Sequence, residues 1–261
     1  MEKVISKDGT PIAYNRQGSG PPLILVYGSG SNVKRWFHII PALEENFTVF
    51  AIERSGRGES GDHKSYSYNS EIEDILAVVE VTDQTVNLFG HSFGALLALD
   101  AALLTEKVHK LMLYEAPIAL PGEKLLPDGL LDDYEDLLKQ EKNEEALIMF
   151  YSRVGITPQE IELMQSNPEW QVRVNSAHTI LREWRGSEDY RFKPERFKEF
   201  NVPTALLLGS DSPPWAKAST ETLYRTLPNS SILELPGQKH TAMVTAPDLF
   251  VDVQTQFFVK K

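Results

Sequence analysis

Apolar and polar positions alternate along this chain between short hydrophobic runs and longer segments with helical spacing. Residues 3–17 read as a β-hairpin turning at Asp8-Gly9, a dipeptide suited to a tight turn. Leu23-Ile24-Leu25-Val26-Tyr27 is apolar throughout, the pattern of a strand buried on both faces. Apolar residues at helical intervals follow over 33–45, and a strand is predicted over 47–52. Ile72, Ile75, Leu76 and Val79 mark one face of the next helix, which leads into a strand over 86–89. From Ala95 the chain turns to Ala and Leu, strong helix formers, before another strand over 108–114. Strands alternating with helices predict an α/β fold with a mostly parallel, doubly wound sheet.

The alternation stops at 118. From there to 200 the chain reads as helical and rich in acids and aromatics, with Thr157-Pro158 as a helix start. It resumes with a strand over 202–208, a helix over 216–227, a strand over 231–235 and a helix entered at Pro247. The predicted organisation is a core over 1–117, a helical cap over 118–200, and the remainder of the core over 201–261. A helical insertion between two strands of such a sheet is suited to be a lid over a site beyond the strand ends.

Composition narrows the function. A chain of 261 residues that is 41% apolar can bury a sizeable core. The absence of cysteine removes disulfides, thiolate metal sites and cysteine nucleophiles. A net charge of −11 argues against nucleic acid as a partner, because phosphate binding needs a basic face. The first residues lack the apolar core of a signal peptide and no stretch is long enough to span a bilayer, so the expectation is a cytoplasmic protein without a membrane partner.

The candidate chemistry centres on Gly90-His91-Ser92-Phe93-Gly94, which fits the G-x-S-x-G nucleophile elbow between a strand and a helix. Such a turn holds the serine in strained dihedrals and brings neighbouring backbone close, so flanking side chains would clash. Three further stretches accompany it: Tyr27-Gly28-Ser29 with Trp36 downstream, Glu53-x-x-Gly56-x-Gly58-x-Ser60, and His240 after the last strand.

Together these stretches resemble the α/β-hydrolase fold family, of the lipase/esterase-like type with a helical cap. The chain departs from the family pattern at Tyr27, where histidine is usual, and at Glu53, where aspartate is usual. The resemblance implies Ser92 as nucleophile, His240 as the base, and the backbone N–H groups of Ser29 and Phe93 as the oxyanion hole. A serine hydroxyl is a weak nucleophile and needs a base to take its proton, a task suited to an imidazole titrating near neutrality. The acid that orients His240 has two candidates. Asp211 follows the seventh strand, where most relatives keep it, but the usual spacing puts the acid three residues past Gly209, at Ser212. Glu115 follows the sixth strand, where haloalkane dehalogenases and zearalenone-type lactonases keep theirs, and is preferred.

The implied activity is hydrolysis of a carboxylic ester or lactone through an acyl-enzyme, acting on a small molecule with no organic or metal cofactor. Perhydrolases, C–C hydrolases, cofactor-free lyases and catalytically silent receptors share the fold and stay open as alternatives. Trp170, Trp184, Tyr134, Tyr151 and Phe150 suggest an apolar pocket beneath the cap. Of the other histidines, His91 reads as structural, His38, His63 and His109 as ordinary surface or helix positions, and His178 as a packed lid residue.

Overall fold

The computed structural model describes residues 1–118, 126, 128–187 and 190–259. The expected cap positions 119–125, 127, 188 and 189 therefore lie outside the described residues. Among the described residues eight strands form one sheet: β1 (Glu2–Ile5), β2 (Pro11–Gln17), β3 (Pro22–Val26), β4 (Thr48–Ile52), β5 (Val86–His91), β6 (Val108–Tyr114), β7 (Thr204–Gly209) and β8 (Ser230–Leu235). Their spatial order is β1-β2-β4-β3-β5-β6-β7-β8. Only the pairings β1/β2 and β2/β4 are antiparallel; the rest of the sheet is parallel.

The sheet is sealed on both faces, as the continuous apolar runs require. Ile24, Val26, Leu88 and Leu206 pack with helices on one side. Leu23, Leu25, Phe89 and Leu207 pack with helices on the other, so adjacent residues of one strand serve opposite cores. Each such side chain, fully buried, contributes roughly 1.5–3 kcal/mol from apolar burial.

The helices are α1 (Ile40–Leu43), α2 (Tyr68–Val81), α3 (Phe93–Ala102), α4 (Leu130–Lys139), α5 (Asn143–Arg153), α6 (Pro158–Gln165), α7 (Trp170–Asn175), α8 (His178–Gly186), α9 (Pro214–Thr226), α10 (Ala242–Thr245) and α11 (Pro247–Val259). Helices α4–α8 lie between β6 and β7, where the sequence predicts the cap. The Thr157-Pro158 start is a capping box, with Thr157 and Glu160 satisfying each other's backbone N–H groups. The single helix expected over 33–45 divides into a 3₁₀ turn, Val33–Trp36, and the short α1. Pro41 accounts for the break: it cannot donate to a preceding turn and sits comfortably only in the first turn of a new helix.

The chain runs from β3 to β4 on one side and then returns to β5 on the other, so strand order reverses at β3. Val26 of β3 pairs with Gly90 of β5. The loops leaving these neighbours diverge over the sheet's carboxyl edge, which is where ligands bind in open α/β sheets.

Candidate active site

Ser92 stands in the elbow between β5 and α3 with φ 55° and ψ −128°, a backbone conformation that L-residues rarely adopt. Surrounding structure enforces it. The Ser92 N–H donates to the Tyr114 carbonyl at 2.9 Å, and the Ser92 carbonyl accepts from the Ala95 N–H at 2.8 Å. A Cβ at Gly90 would lie 2.5 Å from Ala95 Cα, and one at Gly94 would lie 2.5 Å from the Tyr27 carbonyl oxygen. The elbow therefore needs both glycines for close approach. Ser92 lies at the N-terminus of α3, whose first N–H groups have no acceptor within the helix and whose dipole favours negative charge there. Phe93 is the first residue of α3, and Ser29 is in the wall of the cavity that contains Ser92.

The structure brings Glu115 to His240 and leaves Asp211 apart. Glu115 follows β6 at φ 49° and is 1% exposed. Its Oε2 meets His240 Nδ1 at 2.5 Å. Its Oε1 accepts from the Gly209 N–H at 3.0 Å and from the Ser212 hydroxyl at 2.5 Å. Asp211 is exposed and its Oδ1 accepts from its neighbour Ser210 at 2.9 Å. Asp211 thus drops out of the site, because its loop turns the carboxylate outward while Ser212 turns in. The position three residues past Gly209, where the family resemblance puts the acid, is occupied here by the hydroxyl that holds Glu115.

A carboxylate facing Nδ1 fixes the proton there, which leaves His240 Nε2 as an acceptor. The histidine loop is pinned from two sides. Tyr114 O–H donates to the Lys239 carbonyl and accepts from the Ala242 N–H at 3.2 Å. His91 Nε2–H donates to the His240 carbonyl at 2.8 Å, with the two rings 4.5 Å apart. Burial and the charge of Arg35 hold the His91 imidazole neutral, far below its ordinary pKa. His91 is structural as expected, yet it also contributes to the cavity wall.

Ser92 and His240 line one cavity of about 130 Å³, close to the size that accepts a benzene ring. Phe150, Tyr151 and Trp184 of the inserted helices line it, as does Trp215 of α9, which packs edge-on against His240 at 5.4 Å. Tyr134 and Trp170 do not. The Tyr134 hydroxyl donates to the Ala177 carbonyl, and Trp170 Nε1 donates to Glu144. These two aromatics are core of the inserted helices.

Beneath the site the two departures from the family pattern meet. The Tyr27 hydroxyl donates to Glu53 Oε1 at 2.6 Å and accepts from the Arg54 N–H at 2.9 Å. Burial pushes the Glu53 carboxyl up, against the pull of that hydrogen bond and of Arg57. Next to it runs a buried network that the sequence does not advertise. Arg54 forms a fork with Glu71 at 2.6 and 2.7 Å, and reaches Glu183 of α8 at 3.1 Å. Arg57 pairs with the same Glu183.

The remaining histidines need two corrections. His63 is no surface residue: it is buried between Asp8 at 2.7 Å and Asp74 at 2.9 Å. His178 is exposed at the start of α8 and is absent from the cavity wall. His38 and His109 are exposed, the latter on β6. Among the described residues no group of three or more His, Asp or Glu side chains could hold a metal ion, and no helix is long and apolar enough to cross a membrane.

Residues 23–253 match the model of the alpha/beta hydrolase family. The chain belongs to that family. An alpha/beta hydrolase from Sphaerobacter thermophilus superposes with a TM-score of 0.88 at 33% identity, covering 98% of this chain and 100% of that one. A 2-hydroxy-6-oxo-6-(2'-aminophenyl)hexa-2,4-dienoic acid hydrolase from Metapseudomonas resinovorans is 21% identical over 276 residues, which is 100% of this chain and 92% of the relative. The enol-lactonase of Burkholderia xenovorans shares the fold, with a TM-score of 0.81 at 17% identity, covering 99% of this chain and 100% of that one. Relatives and structural neighbours are hydrolases, so the chain is an alpha/beta hydrolase enzyme.

Proposed function

We propose that this alpha/beta hydrolase cleaves small carboxylic esters or lactones through an acyl-enzyme. The Ser92 hydroxyl attacks the carbonyl carbon while His240 Nε2 takes its proton. Glu115 keeps the imidazole in the Nδ1–H tautomer and stabilises the imidazolium. The N–H groups of Phe93 and Ser29 receive the oxyanion, assisted by the N-terminus of α3. The imidazolium then returns the proton to the leaving alkoxide. Water, deprotonated by the same nitrogen, releases the acid and regenerates the serine. The partner in this reading is a small molecule.

The observation that carries the reading is the hydrogen bond between buried Glu115 and His240 Nδ1, with Ser92 on the same cavity. The decisive experiment is labelling by a fluorophosphonate probe with peptide mapping. Label is expected on Ser92 alone, lost in Ser92→Ala and in His240→Ala. A folded wild-type protein that takes no label would sink the acyl-enzyme and favour a lyase or a receptor.

A further inference from the structure

Three arginines are buried in this protein: Arg35, Arg54 and Arg57. Arg54 and Arg57 have their charge answered by Glu71 and Glu183. Arg35, on the 3₁₀ turn that follows β3, does not. It is 9% exposed, and among the described residues the one hydrogen bond of its side chain reaches the Ser31 hydroxyl at 3.5 Å. Its Nε is buried with no partner there. Taking a guanidinium out of water without a counter-charge is costly, and folds keep such a charge where something else supplies the anion.

Arg35 lines the cavity that holds Ser92 and His240. No aspartate or glutamate contributes to the cavity wall among the described residues, although the chain carries a net charge of −11. Arg153 also lines the wall, and the charge of half-buried Arg173 acts on Arg35. Burial, then the Arg173 charge, lowers the Arg35 pKa to about 10, which leaves it cationic at neutral pH. A cavity lined by hydroxyls, imidazoles and apolar groups, in an acidic protein, thus presents cationic side chains in the same wall as the nucleophile. A guanidinium offers paired N–H donors in the plane that a carboxylate accepts.

We propose that Arg35 is the anchor for a carboxylate on the substrate, so that the ester or lactone cleaved at Ser92 is an anionic one. This rests on the hydrolase reading for its chemistry, but the anion site itself does not require turnover. Arg35 acts by binding and orienting; it has no part in bond making.

The test measures binding separately from catalysis. Ser92→Ala protein, full length, is titrated by calorimetry with benzoate and with benzamide, its neutral counterpart. Benzoate is expected to bind at least about tenfold more tightly. The preference should vanish in Ser92→Ala/Arg35→Met, or in Ser92→Ala/Arg35→Gln if the methionine variant fails to fold. Arg35→Met should also melt at a higher temperature than wild type in the absence of ligand, because an unanswered buried charge is gone; a purely structural arginine would move it the other way. In wild type, kcat/KM for the nitrophenyl monoester of glutaric acid should exceed that for nitrophenyl butyrate, and Arg35→Met should lower this ratio at least tenfold. Equal binding of benzoate and benzamide, or a preference that survives Arg35→Met, overturns the proposal. Benzoate preference dependent on Arg35, with no fluorophosphonate label on Ser92, would leave the anion site standing and overturn the hydrolase reading instead.

Discussion

Replacing Glu115 by glutamine changes one charge and almost no volume, yet the structure makes its consequence sharp. Both the Gly209 N–H and the Ser212 hydroxyl donate to Oε1. A glutamine side chain must therefore keep its carbonyl oxygen there and turn its NH₂ toward His240 Nδ1. That nitrogen then accepts, and the imidazole proton moves to Nε2, where it blocks removal of the Ser92 proton. Holding the base in the wrong tautomer costs roughly 10³–10⁴ in kcat in serine hydrolases with this geometry, or about 4–5.5 kcal/mol of barrier. The fold should tolerate the change, because all three hydrogen bonds can persist, with the direction reversed only in the one to His240. The assay is steady-state kcat on a nitrophenyl ester, with circular dichroism and a thermal melt to certify folding. Asp211→Asn serves as the contrast: its carboxylate is exposed and bonded only locally, so kcat should stay within about twofold of wild type. Glu115→Gln retaining more than a tenth of wild-type kcat, or Asp211→Asn losing more than tenfold, would refute the assignment.

Other consequences are open to measurement. Glu183→Gln removes the carboxylate that answers Arg57 and part of what answers Arg54, and should cost about 3–5 kcal/mol in urea unfolding; a loss under about 1 kcal/mol would mean that Arg57 finds another partner. Tyr27→Phe leaves the Arg54 N–H and the Glu53 carboxylate short of a partner in the interior, for a loss of roughly 1–3 kcal/mol; no change in midpoint would deny the pair its bracing role. Stability should also follow the His63 cluster with pH. The Asp74 hydrogen bond, then the Asp8 one, raises His63 from 6.5 to about 9, so its contribution is complete below pH 6.5 and is lost as pH rises through 9. His63 and Thr10 lower Asp8 from 3.8 to about 2, so that contribution is complete above pH 3.8 and is lost as pH falls through 2. Burial pushes the Asp74 carboxyl up, so the net worth of the cluster is less than the His63 shift alone implies. The contributions of His63 and Asp8 are therefore both complete between pH 3.8 and 6.5, and His63→Gln should flatten the alkaline decline in melting temperature between 6.5 and 9; an unchanged alkaline limb in that variant would contradict the assignment.

What could be read in advance follows from how local each determinant is. The strands β3, β5 and β7 are buried along their whole length, so their runs are apolar and easily recognised. The elbow is equally local, since its glycines answer to atoms within a few residues or on the adjacent strand. Pro41 was visible as a residue, but the helical spacing around it concealed the break. Glu115 and Ser212 were both in view as candidate positions; that one holds the other depends on two loops meeting across 97 residues of sequence. The burial of His63 is hidden for the same reason, because its polar surroundings in sequence say nothing of Asp8, 55 residues away. Among the aromatics of the inserted helices, composition says that they are buried and is silent on which face the cavity and which face their own core. Nothing in the sequence sets Arg35 apart from Arg54 and Arg57; the difference is that it has no carboxylate ion pair among the described residues.

The hydrogen bond between Glu115 and His240 closes across 125 residues, and the one from His91 to the His240 carbonyl across 149. During synthesis the strained serine therefore emerges well before the base that would activate it. A nascent chain ending before β8 carries the elbow without the histidine loop, so under the proposed mechanism its serine has no proton acceptor until that loop is made. In refolding experiments, by the same logic, recovery of the proposed hydrolytic activity should report the docking of the last strand and its histidine loop, and should lag the return of helical signal from the rest of the molecule.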